Sequence, residues 1–172
     1  VGEILKGNDE NVYYTRSTDT TVSLSERSYK ENTGNYDYFI SIHRNANKPE
    51  TAKGVETYIY ERGRISEVLA SKVNNELVKV GFIDRGIKVS NFHVLRNTKC
   101  PAILIEVGFI DSSIDNSIFD SNFEEILSSS SLILGDNSVL PPKLFIASIS
   151  TATLRDKFKL LSSLTIIFTL NL

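Results

Sequence analysis

Along the chain, apolar runs that suit buried strands alternate with stretches of helical spacing. Asn11-Val-Tyr-Tyr-Thr15 is rich in β-formers and ends in the polar cluster Arg16-Ser-Thr-Asp19, which predicts a strand followed by a loop. Ser23-Leu-Ser-Glu26 has the spacing of a capping box and opens a helix expected to run to about Asn32, with Gly34 stopping it. Tyr38-Phe-Ile-Ser-Ile42 is a near-continuous apolar run, as in a strand covered on both faces, and leads directly into His43-Arg-Asn-Ala-Asn47. Gly54-Val-Glu-Thr-Tyr-Ile-Tyr60 alternates as a further strand, and Ile65, Val68, Leu69, Val73, Leu77 and Val80 then recur at helical spacing before Gly81. Arg85-Gly86 reads as a turn and Phe92-His-Val-Leu95 as a short extended piece. Ala102-Ile-Leu-Ile-Glu106 is the most apolar strand in the chain.

Strands alternating with helices define an α/β fold, expected as a single domain with a mostly parallel twisted sheet flanked by helices and ligands beyond the carboxyl ends of the strands. His43 and Glu106 both fall at such ends. Val1 to Lys6 reads as the middle of a helix. After the low-complexity stretch Ser128 to Ser131 both periodicities weaken, so residues 1–127 form the expected domain and 128–172 an atypical tail with no assigned role. Within that tail Leu160 to Leu172 is apolar but is interrupted by Ser162, Ser163, Thr165, Thr169 and Asn171, and it falls short of the roughly 20 residues that a membrane-spanning helix needs.

Composition narrows the function by exclusion. The 172 residues suffice for one sizeable core, and shares of 41% hydrophobic and 23% charged residues match a globular domain. A formal net charge of −2 without a dense Lys/Arg stripe argues against a nucleic-acid partner. The single cysteine, Cys100, excludes an intramolecular disulfide and a four-cysteine zinc site. No basic segment followed by an apolar run marks a signal peptide at the N-terminus.

Several side chains are candidates for chemistry. His43, anchored by a strand and opening onto a polar loop, reads either as a metal ligand or as a hydrogen-bonded histidine closing the strand. Glu106 follows Ala-Ile-Leu-Ile and precedes Val-Gly-Phe-Ile, so burial would raise its pKa toward the range of a general base; the alternative is an ion pair with a nearby Arg or Lys. His93 suits a structural position on a short strand. Cys100, beside Pro101, has no neighbouring base and reads as a packing residue. Arg16 and Asp19 suit a salt bridge or turn, and Arg85 combines a turn position with a cation able to face an anionic substrate.

The motifs taken together are more specific. Thr15-Arg16 with Asp19, Ser23-Leu24 and Arg27, Asp37-Tyr-Phe-Ile-Ser-Ile-His-Arg-Asn-Ala46, Gly54-Val-Glu-Thr57, Arg85-Gly-Ile-Lys88, Phe92-His-Val-Leu95 and Pro101-Ala-Ile-Leu-Ile-Glu-Val-Gly-Phe-Ile110 stand in the order and approximate spacing of the zinc-dependent N-acetylmuramoyl-L-alanine amidases. The chain resembles that family over roughly residues 1 to 127. The resemblance implies a peptidoglycan hydrolase at the cell wall or outside the cell, with His43 as a Zn2+ ligand, Glu106 assisting catalysis and Arg85 a candidate for substrate binding. It also implies an earlier first strand ending in Gly-His and a glutamate at the start of the first helix, both zinc ligands. The chain begins after these positions, and Glu3 lies too near the end of its helix to replace the carboxylate. Arg44 stands where a small residue is common, and Ser112-Ser113 where asparagine is frequent. A catalytically inactive remnant or wall-binding module is the competing reading. A zinc carboxypeptidase-like exopeptidase is a third, disfavoured by Glu-Val-Gly-Phe and by the Ser-Ile-His spacing.

Overall fold

The computed structural model describes residues 11–16, 18 and 20–122 together with the backbone of 163–169; the readings made for Val1 to Lys6, Glu3, Asp19 and residues 123–162 lie outside the described residues. The elements are β1 (Asn11–Tyr14), α1 (Leu24–Thr33), β2 (Tyr38–Asn45), β3 (Val55–Ile59), α2 (Ile65–Lys79), β4 (Asp84–Val89), α3 (His93–Arg96), β5 (Ala102–Phe109), α4 (Ser113–Ser121) and β6 (Ser163–Thr169). The capping box forms as expected: Ser23 Oγ accepts from the Glu26 amide at 3.2 Å, and Glu26 Oε2 accepts from the Ser23 amide at 2.7 Å. No described helix is long and apolar enough to cross a membrane.

The strands form one sheet in the order β1-β6-β2-β5-β3-β4. The fold class is α/β as expected, and the sheet is mixed: β2–β5 and β3–β4 are parallel, whereas β1–β6, β2–β6 and β3–β5 are antiparallel. Periodicity along one strand does not encode which neighbour it pairs with, so strand direction was the part of the sheet least accessible to pattern. Two short segments also differ from expectation. Arg85-Gly-Ile-Lys88 lies inside β4, an edge strand whose half-exposed residues carry no apolar run. Phe92 caps α3 rather than continuing a strand, and His93 lies in its single turn. In the tail, Ser163–Thr169 pairs with both β1 and β2.

Alternation along the strands separates two cores. Ile40, Ile42, Ile103, Ile105 and Val107 face α2, where Leu69, Val73 and Leu77 complete a cluster with Val55, Ile59 and Phe82. Phe39, Ala102 and Leu104 point to the other face and pack against Val94 and Leu95 of α3. His93 serves this second layer: its Nε2 lies 3.1 Å from Ser28 Oγ on α1, which ties the two helices together. That cover sits over Phe39, Ala102 and Leu104, at the beginning of β2 and β5, and the same face emerges from it where the strands end.

Two glycines of the motifs are required by the backbone. Gly54 has φ +105, and a Cβ there would lie 2.2 Å from the Ile83 carbonyl oxygen. Gly108 has φ +70, and its Cβ would meet the Phe82 ring at 2.8 Å. Both conformations disfavour any side chain. The buried carboxylate of Asp115 on α4 joins the two places, since its Oδ2 accepts from the amides of Gly54 at 2.8 Å and Phe109 at 2.7 Å.

Candidate active site

His43 and Glu106 are register partners in the parallel β2–β5 ladder. Glu106 is at the same time the register partner of Glu56 across the antiparallel β3–β5 ladder. Partners in register project to the same face of a sheet and lie on strands about 4.8 Å apart. An imidazole and two carboxylates therefore form one row across three strands, on the face that α3 covers only further down. The β-bulge that follows, between His43 and Asn45 opposite Glu106 and Phe109, ends regular pairing just past this row.

The environments of the three groups differ sharply. Glu56 is buried and receives a hydrogen bond from Asn45 Nδ2 at 2.8 Å, one from the Tyr58 hydroxyl at 2.6 Å and an ion pair from Arg85 Nε at 2.7 Å. Lys88 Nζ also pairs with it. Burial alone would raise its pKa, but these donors outweigh burial and hold it at about 2. Glu106 has no such set: its Oε2 is buried and lacks a hydrogen-bond partner among the described residues. Burial, reinforced by the charge of Glu56, pushes its carboxyl up to about 7.

His43 Nε2 lies 2.8 Å from Ser41 Oγ. Burial, with the cations of Arg27 and Arg16, lowers its pKa to about 4, so the imidazole is uncharged at neutral pH and retains a lone pair for a proton or a metal. Arg27 is itself fixed, donating from Nη1 to Thr15 Oγ1 at 3.1 Å and from Nε to the Val22 carbonyl at 3.2 Å.

The remaining sequence candidates lie outside this row. Arg85 meets it through Glu56, and its guanidinium carbon is 5.0 Å from the Phe109 ring centroid. Arg44 turns to the opposite face, where it stacks over Phe119 at 4.4 Å and donates to Asn116 Oδ1 at 2.7 Å, so it braces α4. Ser112 caps α4, and Ser113 donates to Glu50. Cys100 packs at the start of β5, where burial and the Glu31 carboxylate push its thiol pKa up and make it a poor nucleophile. Glu56 is the participant that the sequence reading did not single out. Its signal was a carboxylate inside an otherwise apolar strand, Val-Glu-Thr-Tyr-Ile, whose burial needs compensating donors.

As a place for zinc, the row fits in part. An uncharged imidazole is the form that ligates a metal, and the orphaned Glu106 oxygen beside it is a polar group with an unmet need. Among the described residues, however, no three His, Cys, Asp or Glu side chains converge to hold an ion.

Fold and site define an α/β domain that carries an uncharged imidazole beside a raised carboxylate at one rim of its sheet. A sequence profile described as N-acetylmuramoyl-L-alanine amidase matches residues 1–129, and the chain belongs to that family. It is 43% identical over 106 residues to the N-acetylmuramoyl-L-alanine amidase CwlM of Bacillus licheniformis, a match covering 60% of this chain and 41% of that protein. To the sporulation-specific N-acetylmuramoyl-L-alanine amidase of Bacillus subtilis (strain 168) it is 40% identical over 115 residues, covering 65% of this chain and 44% of the relative. The chain thus spans less than half the length of these curated relatives. Among solved structures, the catalytic domain of CwlV, an N-acetylmuramoyl-L-alanine amidase from Bacillus (Paenibacillus) polymyxa var. colistinus, matches with a TM-score of 0.63 and 31% identity, covering 75% of this chain and 72% of that one.

Proposed function

We propose that the chain carries part of the catalytic centre of a peptidoglycan hydrolase that cleaves the amide between N-acetylmuramic acid and L-alanine, acting at the cell wall or outside the cell. The observation that carries this reading is the register pairing of His43 with Glu106, a half-buried carboxylate with one buried oxygen unpartnered among the described residues and a pKa of about 7. Family membership supports the substrate class.

In this reading Glu106 is the general base and acid. It takes a proton from the water that attacks the amide carbonyl, and returns it to the amine as the carbon–nitrogen bond breaks. A pKa near the working pH suits both transfers. Glu56 stays ionised and keeps Glu106 from losing its proton too readily. His43 would hold Zn2+, with the other ligands supplied by residues outside those described. Such an ion contributes Lewis acidity, which brings the pKa of a water to about 7 and stabilises charge on the carbonyl oxygen. Arg85 would serve the substrate's anionic groups from beside Glu56.

A second reading, an inactive remnant or wall-binding module, draws support from the lack of three converging metal ligands among the described residues. Zinc content and release of L-alanine amino termini from purified cell walls separate the two. Zinc-dependent release by the intact gene product supports the hydrolase. Wall binding without zinc or release supports the module.

A further inference from the structure

The start of α2 opens into a cleft of about 380 Å³ whose lining includes Tyr60, Arg64, Ser66, Arg96, Lys99 and Cys100. Ala102, the first residue of β5, borders it, and the rise from there to Glu106 is about 13 Å of extended strand, so the cleft is separate from the His43–Glu106 row. Three features at this place favour an anion.

α2 is 15 residues long, and its N-cap, Arg64, contributes no side-chain capping bond; the first-turn carboxylate of Glu67 is turned back to the Gly63 amide at 2.8 Å and to Arg62. Ser66, in the first turn, is only 7% exposed and lines the cleft, yet its hydroxyl makes no hydrogen bond among the described residues. That hydroxyl opens onto the cleft and is free to donate to a ligand that enters it. The charges are also unbalanced. Arg96 donates to Asn91 Oδ1 at 2.9 Å and to Asn97 Oδ1 at 3.2 Å, and Lys99 Nζ donates to the Asn32 carbonyl at 2.8 Å, so both side chains rest on neutral acceptors, while the nearby Glu31 carboxylate is taken by the Lys99 and Cys100 amides. Among the described residues of the lining, only Arg64 has an acidic side-chain partner, Glu61.

We propose that this cleft binds an oxyanion, a phosphate or carboxylate borne on a larger molecule, with the α2 amino end and the Ser66 hydroxyl as donors and Arg96 and Lys99 as counter-charges. The volume exceeds that of one anion, and the Tyr60 ring and Ile65 offer the rest of the ligand a partly apolar wall. The inference does not depend on the amidase reading.

The test is a titration of the isotope-labelled chain at low ionic strength, following the backbone amide signals of Ile65 and Ser66. Inorganic phosphate, glycerol 1-phosphate and N-acetyl-D-alanyl-D-alanine are added in separate arms. The expected result is a saturable shift of both signals, with the tighter of the two organic ligands identifying a phosphate or a carboxylate source. Ser66→Ala and the double variant Arg96→Gln/Lys99→Gln should each weaken that binding by about tenfold or more, since each removes a charge-assisted donor or the counter-charge, while the remaining amide signals stay in place. Absence of saturation with all three ligands, or unchanged affinity in both variants, overturns the proposal.

Discussion

Glu56 and Glu106 lie opposite one another across the antiparallel β3–β5 ladder, one held at a pKa of about 2 and the other raised to about 7. Glu56 is the more buried of the two and Glu106 is half-buried, so exposure alone would raise the wrong one. The difference lies in their donors. Glu56 collects Arg85, Lys88, Tyr58 and Asn45, and Glu106 Oε2 collects none among the described residues. One is a fixed charge and the other titrates near neutral pH.

The first prediction concerns the stability cost of Glu106 in chelator-treated protein. Its folded pKa of about 7 lies above the ordinary value of 4.5, so the fold favours the protonated form. Below the ordinary value both states are protonated and the group costs nothing; between 4.5 and 7 the unfolded chain releases the proton while the folded one holds it, so the cost grows across that window and levels off above it. Glu106→Gln should therefore match the wild type near pH 4 and exceed it near pH 8, by roughly 2–3 kcal/mol in denaturant unfolding. A pH-independent difference would contradict the raised pKa.

For Glu56 the sign is reversed. Its folded pKa of about 2 lies below 4.5, so its contribution is complete above the ordinary value and drains away as pH falls from there toward 2. Glu56→Gln leaves the partly exposed cations of Arg85 and Lys88 facing a neutral group and should cost about 2–3 kcal/mol at pH 7, the range for hydrogen bonds to a charged group. The deficit relative to wild type should shrink in acid. Urea titrations at pH 7 and pH 3 check both statements.

The glycines give a graded pair. Gly108→Ala brings a Cβ to 2.8 Å from a ring carbon of Phe82 at a positive φ, and a loss of about 2–4 kcal/mol is expected. Gly54→Ala meets the Ile83 backbone oxygen at 2.2 Å, which cannot swing aside as a side chain can, so it should destabilise more than Gly108→Ala. Thermal melts of the two variants under one condition test the order.

Much of this architecture was legible because strong local signals agree with the tertiary fold. The Ser23–Glu26 box, the helical spacing from Ile65 to Val80 and the apolar runs ending at His43 and Glu106 each correspond to an element of the structure. Other parts depended on contacts that a local pattern does not carry. Asp84–Val89 is a polar edge strand defined by its pairing with β3, and the turn at His93–Arg96 is held by Ser28 from a distant helix. Glu56 stood in a quoted motif, but its importance comes from donors on β2, β3 and β4 that the fold gathers around it.

The proton-transfer role of Glu106 is tested by the turnover of Glu106→Gln, made in the intact gene product and assayed on purified peptidoglycan together with zinc content and melting temperature. Glutamine preserves size and much of the hydrogen bonding but cannot take a proton. Turnover should fall by about 10²–10⁴-fold, the usual contribution of general acid–base assistance, while the protein remains folded and its zinc content is unchanged. Near-normal turnover in the folded, zinc-loaded variant would contradict that role and leave Glu106 a structural carboxylate.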